Sequence, residues 1–261
     1  MTPPPFRPDY EALAAAWREL AARGGLRLQS VPAGETELLR GTLGHPDAPL
    51  VAISAGVHGD EPAGPSALLE LVHQGLPSQF SYVFWPCTNP TGYRAGTRHS
   101  AGGVDINRSY GDGVTPESAA VAATWPHRQP LLALDLHEDY EAPGFYCYER
   151  SNTVETMAER IVAGVEASGI PVQASFEGID LGIPVDEAER RGLWRAGRGW
   201  IRALRYEPLG ELGGRPFTVW SSERGVPLSF TFESPGRAAW EVRVRSLASA
   251  VRTALGLLSR P

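Results

Sequence analysis

Cysteine and long apolar runs are both scarce in this sequence. Only Cys87 and Cys147 occur among 261 residues, each within an apolar or aromatic stretch, and no Cys-x-x-Cys pair is present. This pattern favours two buried thiols over a disulfide and argues against a cysteine-based metal site. Because no apolar run reaches the roughly 18–20 residues that cross a bilayer, the sequence also argues against a membrane-spanning protein.

Positive charge is in deficit. Arginine and lysine together number 24 against 30 aspartates and glutamates, which gives a formal net charge of −6. This balance argues against nucleic acid and against an anionic membrane as partners. Residues 1–8 have neither the basic start nor the apolar segment of a secretory signal, so we expect a cytoplasmic protein.

What the sequence does contain is the pattern of an α/β protein, and its length of 261 residues favours one domain over 1–261. Apolar periodicity predicts helices over 10–21, which Asp9 caps, 65–72, 152–168 and 240–258. Short apolar runs predict strands over 26–28, 37–43, 50–54, 80–86, 131–136, 145–148, 217–220 and 227–232. A loop over 87–108 is too long for a simple connection, which is typical of a functional segment. The Gly- and Arg-rich segment 174–216 receives no assignment.

The chain is organised around the stretch 55–64, which links the predicted strand over 50–54 to the helix that begins near Pro65. His58 and Glu61 therefore lie on a loop at the carboxyl end of a strand, where open α/β sheets bind ligands. A catalytic zinc ion takes three nitrogen or oxygen ligands from the protein and keeps a position for water. A His and a Glu three positions apart also occur on ordinary solvated helices, so the pair alone is weak evidence.

Two further strands end in residues of the same chemical type. His137 follows the predicted strand over 131–136, and Glu233 follows the strand over 227–232. Because the carboxyl ends of parallel strands meet at one edge of a sheet, we expect these residues to lie near His58 and Glu61. Two histidines and two carboxylates at strand ends are harder to explain by coincidence than any one of them.

The chain at this point resembles the M14 zinc metallocarboxypeptidase superfamily. The resemblance covers roughly residues 50 to 236 and rests on the order and spacing of five features: His58-x-x-Glu61, Asn89-Pro90-x-Gly92, Arg98 ahead of Gly103-Val104-Asp105-Ile106-Asn107-Arg108, His137, and Glu233 with Pro235. It implies a three-layer α/β/α domain around a central mixed, mostly parallel sheet. It also implies one Zn²⁺ ion per chain.

The resemblance assigns the metal centre residue by residue. His58, Glu61 and His137 correspond to the zinc ligands. Glu233 corresponds to the general base that takes a proton from the zinc-bound water, a role that suits a carboxylate because zinc lowers the pKa of that water to about 7. Asp105 corresponds to a residue that orients a ligand histidine through its far ring nitrogen.

The resemblance also assigns the substrate contacts. Arg98 corresponds to the residue that polarises the scissile carbonyl, where a cation stabilises the developing oxyanion. Asn107 and Arg108 correspond to the clamp on a terminal carboxylate, for which the planar guanidinium fork is suited. One departure lies next to Arg98, because many relatives have Arg-x-Asn where this chain has Arg98-His99-Ser100.

The activity implied is hydrolysis of the C-terminal amide bond of a peptide. The alternative is an N-acyl amino acid deacylase of the aspartoacylase and succinylglutamate desuccinylase type, and in either case the substrate carries a free carboxylate. Those deacylases have Asn-Pro-x-Ala and His-Asn where this chain has Gly92 and Glu138, which favours the peptidase. A zinc-binding protein without turnover conflicts with the presence of Glu233. A metal-free regulatory module would require the whole set to be incidental.

Several residues stay without a role. His45, His73, His99 and His127 are expected not to bind metal. The tyrosine that covers the substrate in well-known members has no secure counterpart, since Tyr206, Tyr146 and Trp220 are rivals. No pattern in the sequence indicates a particular oligomeric state.

Overall fold

The computed structural model describes residues 9–111, 115–151, 156–176, 194–203 and 214–259. In these ranges the strands are β1 Arg27–Ala33, β2 Thr36–Leu43, β3 Leu50–Ala55, β4 Ser81–Trp85, β5 Leu132–Asp139, β6 Tyr146–Ser151, β7 Trp194–Gly197, β8 Trp200–Ala203 and β9 Leu228–Pro235. They form one sheet in the order β1-β2-β4-β3-β5-β9-β6-β8-β7.

The sheet is mixed, as predicted, and its parallel part lies at the centre. Strands β4, β3, β5 and β9 are parallel neighbours, and β6 pairs in parallel with β8. The pairs β1–β2, β2–β4, β6–β9 and β7–β8 are antiparallel. The carboxyl ends of β3, β5 and β9 therefore meet at one edge, which is where the predicted site residues lie.

Helices cover both faces of the sheet. In the described ranges they are α1 Tyr10–Ala22, α2 Ala63–Gln74, α3 Pro90–Ala95, α4 Pro116–Ala123, α5 Ala158–Ala167, α6 Phe217–Glu223 and α7 Trp240–Leu258, together with a 3-10 turn at Ile106–Arg108. One apolar cluster joins α1, α2, α5 and α7 to the sheet, and a second joins α4 and α6 to the opposite face. None of these helices is both long enough and apolar enough to cross a membrane.

Strand β4 shows how the alternation of side chains builds the three layers. Phe84 faces the first cluster, where the ring of Trp17 packs on it with centroids 5.2 Å apart. Trp85 faces the second cluster and contacts Phe217 at 6.3 Å. Because both faces of β4 are covered, the strand reads as a continuous apolar run, which is typical of a central strand in a parallel sheet.

Most of the predicted elements are confirmed. Helix α1 begins at Asp9, whose side chain accepts a hydrogen bond from the backbone nitrogen of Ala12 at 3.0 Å, as an N-cap aspartate does. Seven predicted strands, the helix α2 and the final helix α7 also agree with the sequence patterns, with ends that shift by a few residues; these strands are β1, β2, β3, β4, β5, β6 and β9.

The strand predicted over 217–220 is wrong, because this segment begins helix α6. Its first backbone N–H, that of Phe217, donates to Oδ1 of Asn107 at 3.0 Å. The helix therefore begins where a side chain from a distant part of the chain satisfies a free donor. All five residues of the first part of this helix, 217–221, are buried.

Other differences lie at loops and helix starts. The described part of the helix predicted over 152–168 begins at Ala158, whose backbone nitrogen donates to the buried carboxylate of Glu149 at 2.8 Å; residues 152–155 lie outside the described residues. The unassigned segment 174–216 contributes β7 and β8 from its described part. The long loop over 87–108 contains α3, and α4 occupies a region for which the sequence analysis made no assignment.

Candidate metal centre

The loop after β3 reaches its shape by packing directly on the backbone of α3. A Cβ atom on Gly59 would lie 1.9 Å from the carbonyl carbon of Gly92, so neither position has room for a larger residue. Asn89 holds the other side of this contact: its Oδ1 accepts from the backbone nitrogen of Gly92 at 2.8 Å, and its Nδ2 donates to the carbonyl of Arg98 at 3.1 Å. The Asn-Pro-x-Gly motif thus shapes the loop that carries His58 and Glu61.

Three buried donors converge at the carboxyl edge of the sheet. Nδ1 of His58 lies 2.6 Å from one carboxylate oxygen of Glu61, and Nδ1 of His137 lies 2.9 Å from the other. The side chains of the two histidines are 3% and 2% exposed, and that of Glu61 is 5% exposed. One ligand atom from each of the three residues lies within 4.8 Å of the others. Two imidazole nitrogens and a carboxylate oxygen are the donor set of a catalytic divalent metal ion, so the residues fit such an ion.

An aspartate lies at the outer ring nitrogen of each histidine. Nε2 of His58 is 3.2 Å from Oδ1 of Asp105, as the sequence predicts for Asp105. Nε2 of His137 is 2.9 Å from Oδ2 of Asp135. A carboxylate at Nε2 stabilises the tautomer that carries its proton there, which leaves the Nδ1 lone pair directed at the metal position.

Asp135 is a site residue that the sequence analysis missed. It lies in β5, in the otherwise apolar run Leu132-Ala133-Leu134-Asp135-Leu136, and it is fully buried. Residues two apart on a strand point to the same face, so a charged residue two positions before His137 was the signal that could have found it.

Carboxylates dominate the electrostatics of this cluster. Burial lowers the pKa of His58, but the carboxylates of Glu61 and Asp105 outweigh it and hold the pKa above its usual value. Burial also lowers the pKa of His137, but the carboxylates of Asp135 and Glu61 outweigh it and raise the pKa well above the usual value. Because the negative charge outweighs the cost of burial, the site favours a cation.

Glu233 lies on the strand next to His137. In the parallel pair of β5 and β9, His137 and Glu233 occupy the same register position. Glu233 is half-buried and lines a cavity of about 670 Å³ together with His58, Glu61 and His137. The structure therefore brings the predicted base to the wall of the cavity that the three donors line.

Arg98 and Asn107 line the same cavity. The side chain of Arg98 is 38% exposed; its NH2 group is 3.0 Å from Oδ2 of Asp105, and NH1 is 3.6 Å from Oε1 of Glu61. Nδ2 of Asn107 is 3.4 Å from Nε2 of His137, and its Oδ1 accepts from Phe217. Arg98 and Asn107, which the sequence predicts to contact the substrate, thus lie beside the candidate metal donors. Asn107 also binds the first N–H of α6.

Comparison with known proteins identifies the family. Residues 47–183, more than half of the chain, match the model of the succinylglutamate desuccinylase/aspartoacylase catalytic domain. This chain belongs to that family. No curated protein matches it significantly.

Solved structures of similar fold include candidate metallopeptidases and metallo-carboxypeptidases. A candidate metallopeptidase from Shewanella amazonensis SB2B has a TM-score of 0.78 at 21% identity, with 96% of this chain and 93% of that chain covered. One from Shewanella denitrificans OS217 has a TM-score of 0.77 at 21% identity, covering 95% and 90%. A metallo-carboxypeptidase from Pseudomonas aeruginosa has a TM-score of 0.65 at 16% identity, covering 95% and 68%. The chain is thus an M14-like superfamily member of the desuccinylase branch, with the zinc carboxypeptidase-like fold.

The position of Arg108 differs from that of Arg98. Its NH1 group donates to the carbonyl of Asn107 at 3.0 Å, and Arg108 is not among the residues that line the cavity. Asn107 therefore lines the cavity directly, whereas Arg108 lies behind it, and its charge helps to lower the pKa of Asp105. The carboxylate clamp predicted from these two residues stays a prediction for this family member.

Of the three rivals for the covering residue, the structure places Tyr146 at the cavity. Its hydroxyl donates to Oδ2 of Asp139 at 2.8 Å, and burial, together with the charge of Glu233 across the β6–β9 pair, raises its pKa. Trp220 lies instead in the second apolar cluster, which joins α4 and α6 to the sheet. Tyr206 lies outside the described residues.

Glu138, which replaces the asparagine of the family's deacylases, has a structural role. Its Oε1 accepts from the backbone nitrogen of Ala63 at 2.6 Å, at the start of α2. Its Oε2 lies 2.5 Å from the guanidinium of Arg243 on α7. Burial raises the pKa of Glu138 although Arg243 opposes the shift. The residue therefore joins α2 and α7 beneath the metal centre.

The described part of the cavity lining is acidic. It contains one arginine, Arg98, and six carboxylates: Asp60, Glu61, Glu138, Asp139, Glu141 and Glu233. Glu61 is one of the three candidate metal donors, and Glu138 is paired with Arg243. The other four carboxylates add to the negative charge of the described lining. This family member therefore presents a strongly negative wall beside its metal centre.

Proposed function

We propose that this protein is a zinc-dependent carboxypeptidase that hydrolyses the C-terminal amide bond of a peptide. The observation that supports metal-dependent amide hydrolysis is the position of Glu233, which lies in register with His137 and lines the same cavity as the three candidate metal donors; the acidic lining of that cavity favours a peptide substrate. A carboxylate beside a metal site, but not among its closest donors, is suited to general acid and base catalysis.

His58, Glu61 and His137 would hold the zinc ion. When bound, zinc supplies a Lewis acid and lowers the pKa of water to about 7. Glu233 accepts a proton from the attacking water and passes it to the leaving amine nitrogen. Arg98, whose guanidinium lies beside Glu61 and Asp105, stabilises the negative charge that develops on the carbonyl oxygen.

The charge of the cavity favours a peptide over the substrates for which the family is named. Succinylglutamate carries three carboxylates and an N-acylaspartate carries two. The described lining offers one arginine, whereas Asp60, Asp139 and Glu141 add negative charge beside it. Because like charges in a partly desolvated cleft repel, these acidic side chains favour a substrate that also carries a cationic group.

One solved relative binds a ligand that carries a guanidinium cation. The Pseudomonas aeruginosa metallo-carboxypeptidase is in complex with (2-guanidinoethylmercapto)succinic acid, which joins a guanidinium to carboxylates. For this chain we propose the same complementarity, with Arg98 facing a carbonyl or carboxylate and Asp60, Asp139 and Glu141 facing the cation.

An N-acyl amino acid deacylase is the second candidate. The match of residues 47–183 to the desuccinylase/aspartoacylase model favours it, since that model covers the loop with His58 and Glu61 as well as His137. The residues assigned to metal binding and proton transfer serve either reaction, because both break an amide bond next to a carboxylate-bearing group.

A matched substrate panel separates the two candidates. The zinc-loaded protein is offered peptides that differ only in a basic, neutral or acidic C-terminal residue, the C-terminal amide of the best peptide, N-acetylaspartate and succinylglutamate. We expect cleavage of the free-acid peptides, fastest for the basic residue, and little cleavage of the amide. The His58→Ala variant is the control for contaminating hydrolases. Cleavage of the N-acyl amino acids alone would establish the deacylase.

We further propose that residues 1–261 form one catalytic domain that acts in the cytoplasm, without nucleic acid or membrane partners. The formal net charge of −6 supports the part of this proposal that concerns anionic partners.

A further inference from the structure

A second cavity lies at the opposite edge of the sheet from the metal centre. It has a volume of about 640 Å³, and its lining includes Leu50 and Ser81, the first residues of β3 and β4. His58, by contrast, follows the carboxyl end of β3. A volume of this order is typical of small-molecule sites.

The lining of this second cavity is cationic. It contains Arg27, Arg40, Arg128 and His127, and no aspartate or glutamate is among its described residues. The chain as a whole carries more acidic than basic residues. The described lining of the metal-centre cavity is likewise more acidic than basic. The second cavity therefore has the opposite charge from the first.

Arg40 is the central cation of this cavity. It is half-buried, and its Nε donates to the carbonyl of Thr124 at 3.0 Å. Thr124 is itself held, because its hydroxyl donates to the carbonyl of Ala120 at 2.7 Å and accepts from the indole nitrogen of Trp85 at 3.1 Å. The guanidinium plane of Arg40 is thus anchored at Nε, which leaves the two terminal amino groups for another acceptor.

No carboxylate compensates this charge. The terminal nitrogens of Arg40 make no hydrogen bond or ion pair with any residue that the structure describes. Burial lowers the pKa of Arg40, and no neighbouring acid opposes that effect. A partly desolvated cation without a counter-charge is destabilising, and an anion that binds it removes the cost.

The register of the sheet places a second arginine beside the first. In the antiparallel pair of β1 and β2, Gln29 is opposite Arg40 and Arg27 is opposite Thr42. Arg27 and Arg40 are therefore diagonal neighbours on one face of the sheet, within reach of a common ligand. Two like charges in this position repel each other unless an anion lies between them.

Arg128 closes the cavity from the loop before β5. Its NH1 group donates to the carbonyl of Ala48, and its NH2 group donates to the hydroxyl of Ser81, each at 2.5 Å. These two bonds hold the guanidinium in place, and its charge adds to that of Arg27 and Arg40. The cavity is thus preorganised for negative charge before any ligand enters.

We propose that this second cavity binds a small oxyanion, the phosphate or carboxylate group of a metabolite-sized ligand, between Arg27, Arg40 and Arg128. The terminal amino groups of Arg40 donate to two oxygens of the anion, since the guanidinium fork matches phosphate and carboxylate geometry. The site is separate from the metal centre and does not depend on which amide the enzyme cleaves.

The test measures binding of inorganic phosphate and of malonate by isothermal titration calorimetry at constant ionic strength. Arg40→Gln keeps a donor for the carbonyl of Thr124 and removes the charge. We expect its dissociation constant for the preferred anion to rise at least about tenfold. Arg27→Gln, at an exposed strand position, should also raise the dissociation constant. This second variant tests the proposal even if Arg40→Gln misfolds.

Two control variants locate the binding. Arg98→Gln removes the arginine of the metal-centre cavity and should leave this affinity unchanged, as should Arg245→Gln on the exposed face of α7. Phosphate preferred over malonate identifies a phosphate group as the ligand, and the reverse order identifies a carboxylate. The proposal fails if neither anion binds, if Arg40→Gln binds as well as the unmutated protein, or if Arg245→Gln weakens binding equally.

Discussion

Oδ2 of Asp135 lies 2.9 Å from Nε2 of His137, and both side chains are buried on one face of β5. The aspartate stabilises the imidazole tautomer whose Nδ1 lone pair faces Glu61. Asp135→Asn keeps the size of the side chain but removes the charge, so we expect zinc affinity to fall about 10–100-fold with the fold retained. Competition with a chromogenic chelator measures this loss. Asp47→Asn, at an exposed loop position, is the matched control, and equal affinities of the two variants would contradict the role of Asp135.

Glu233 and Glu61 are expected to respond differently to the same substitution. Glu233→Gln should keep zinc and substrate affinity and lose turnover by at least the ~10²–10⁴-fold that general acid–base catalysis contributes, because an amide cannot accept the proton. Glu61→Gln should lose metal affinity, since an amide is a weaker ligand than a carboxylate. Metal analysis and single-turnover kinetics distinguish the two. If Glu233→Gln lost zinc while Glu61→Gln kept it, Glu233 would be the metal ligand and Glu61 the general base.

Arg98 is expected to act on the transition state more than on substrate binding. Its guanidinium lies 3.6 Å from Glu61 and 3.0 Å from Asp105, beside the reacting centre. Arg98→Ala should lower kcat about 10²–10³-fold, as removal of one oxyanion donor does, with a smaller change in KM. Steady-state kinetics test this, with Arg224→Ala as a control at an exposed arginine. A change confined to KM would make Arg98 a binding residue.

The clamp predicted for Asn107 and Arg108 has its own kinetic signature. If Arg108 contacts the terminal carboxylate when substrate is bound, Arg108→Ala should raise KM about tenfold or more for a free-acid peptide, because a charge-assisted contact is lost. Comparison of KM for the free acid in Arg108→Ala and in the unmutated protein measures it. An unchanged KM would mean that the NH1 bond to the carbonyl of Asn107 is the main role of this arginine.

The two thiols are expected to be inert in the native protein. Burial raises the pKa of Cys87 to about 12 and holds the pKa of Cys147 well above its usual value. Because the thiolate is the reactive form, native protein at pH 8 should react with a thiol reagent far more slowly than free cysteine, and both thiols should titrate after denaturation. The reaction rate should rise as pH approaches the raised pKa. Rapid labelling of two thiols in native protein would contradict the burial.

Local patterns predicted much of the sheet and its helices. The cap at Asp9, the apolar runs of β3, β5 and β9 and the periodicity of α7 all act within a few residues, so they can be read from neighbours in the chain. Site residues at strand ends followed from the same reading. His58, Glu61, His137 and Glu233 were found because parallel strands end at one edge of a sheet.

Where the prediction failed, a distant partner decided the conformation. The run Phe217-Thr218-Val219-Trp220 has the composition of a strand, but Oδ1 of Asn107 accepts from the N–H of Phe217 and the segment begins α6. Likewise, α5 begins at Ala158 because the buried carboxylate of Glu149 accepts its N–H. A hydrogen bond between separate elements, with partners 110 residues apart for Asn107 and Phe217 and 9 residues apart for Glu149 and Ala158, leaves no periodic signal in either segment.

The sequence by itself predicted the α/β class and, from motifs and places at strand ends, the side chains that meet at the carboxyl edge of the sheet: His58, Glu61, Asp105, His137 and Glu233. Only the tertiary structure decided that Asp135 partners His137, that Arg108 contacts the backbone of Asn107, and that the described linings of the two cavities carry opposite charge. Charge balance inside a cavity depends on which side chains face each other across the fold, and the sheet register and helix packing that set this pairing join residues from opposite ends of the chain.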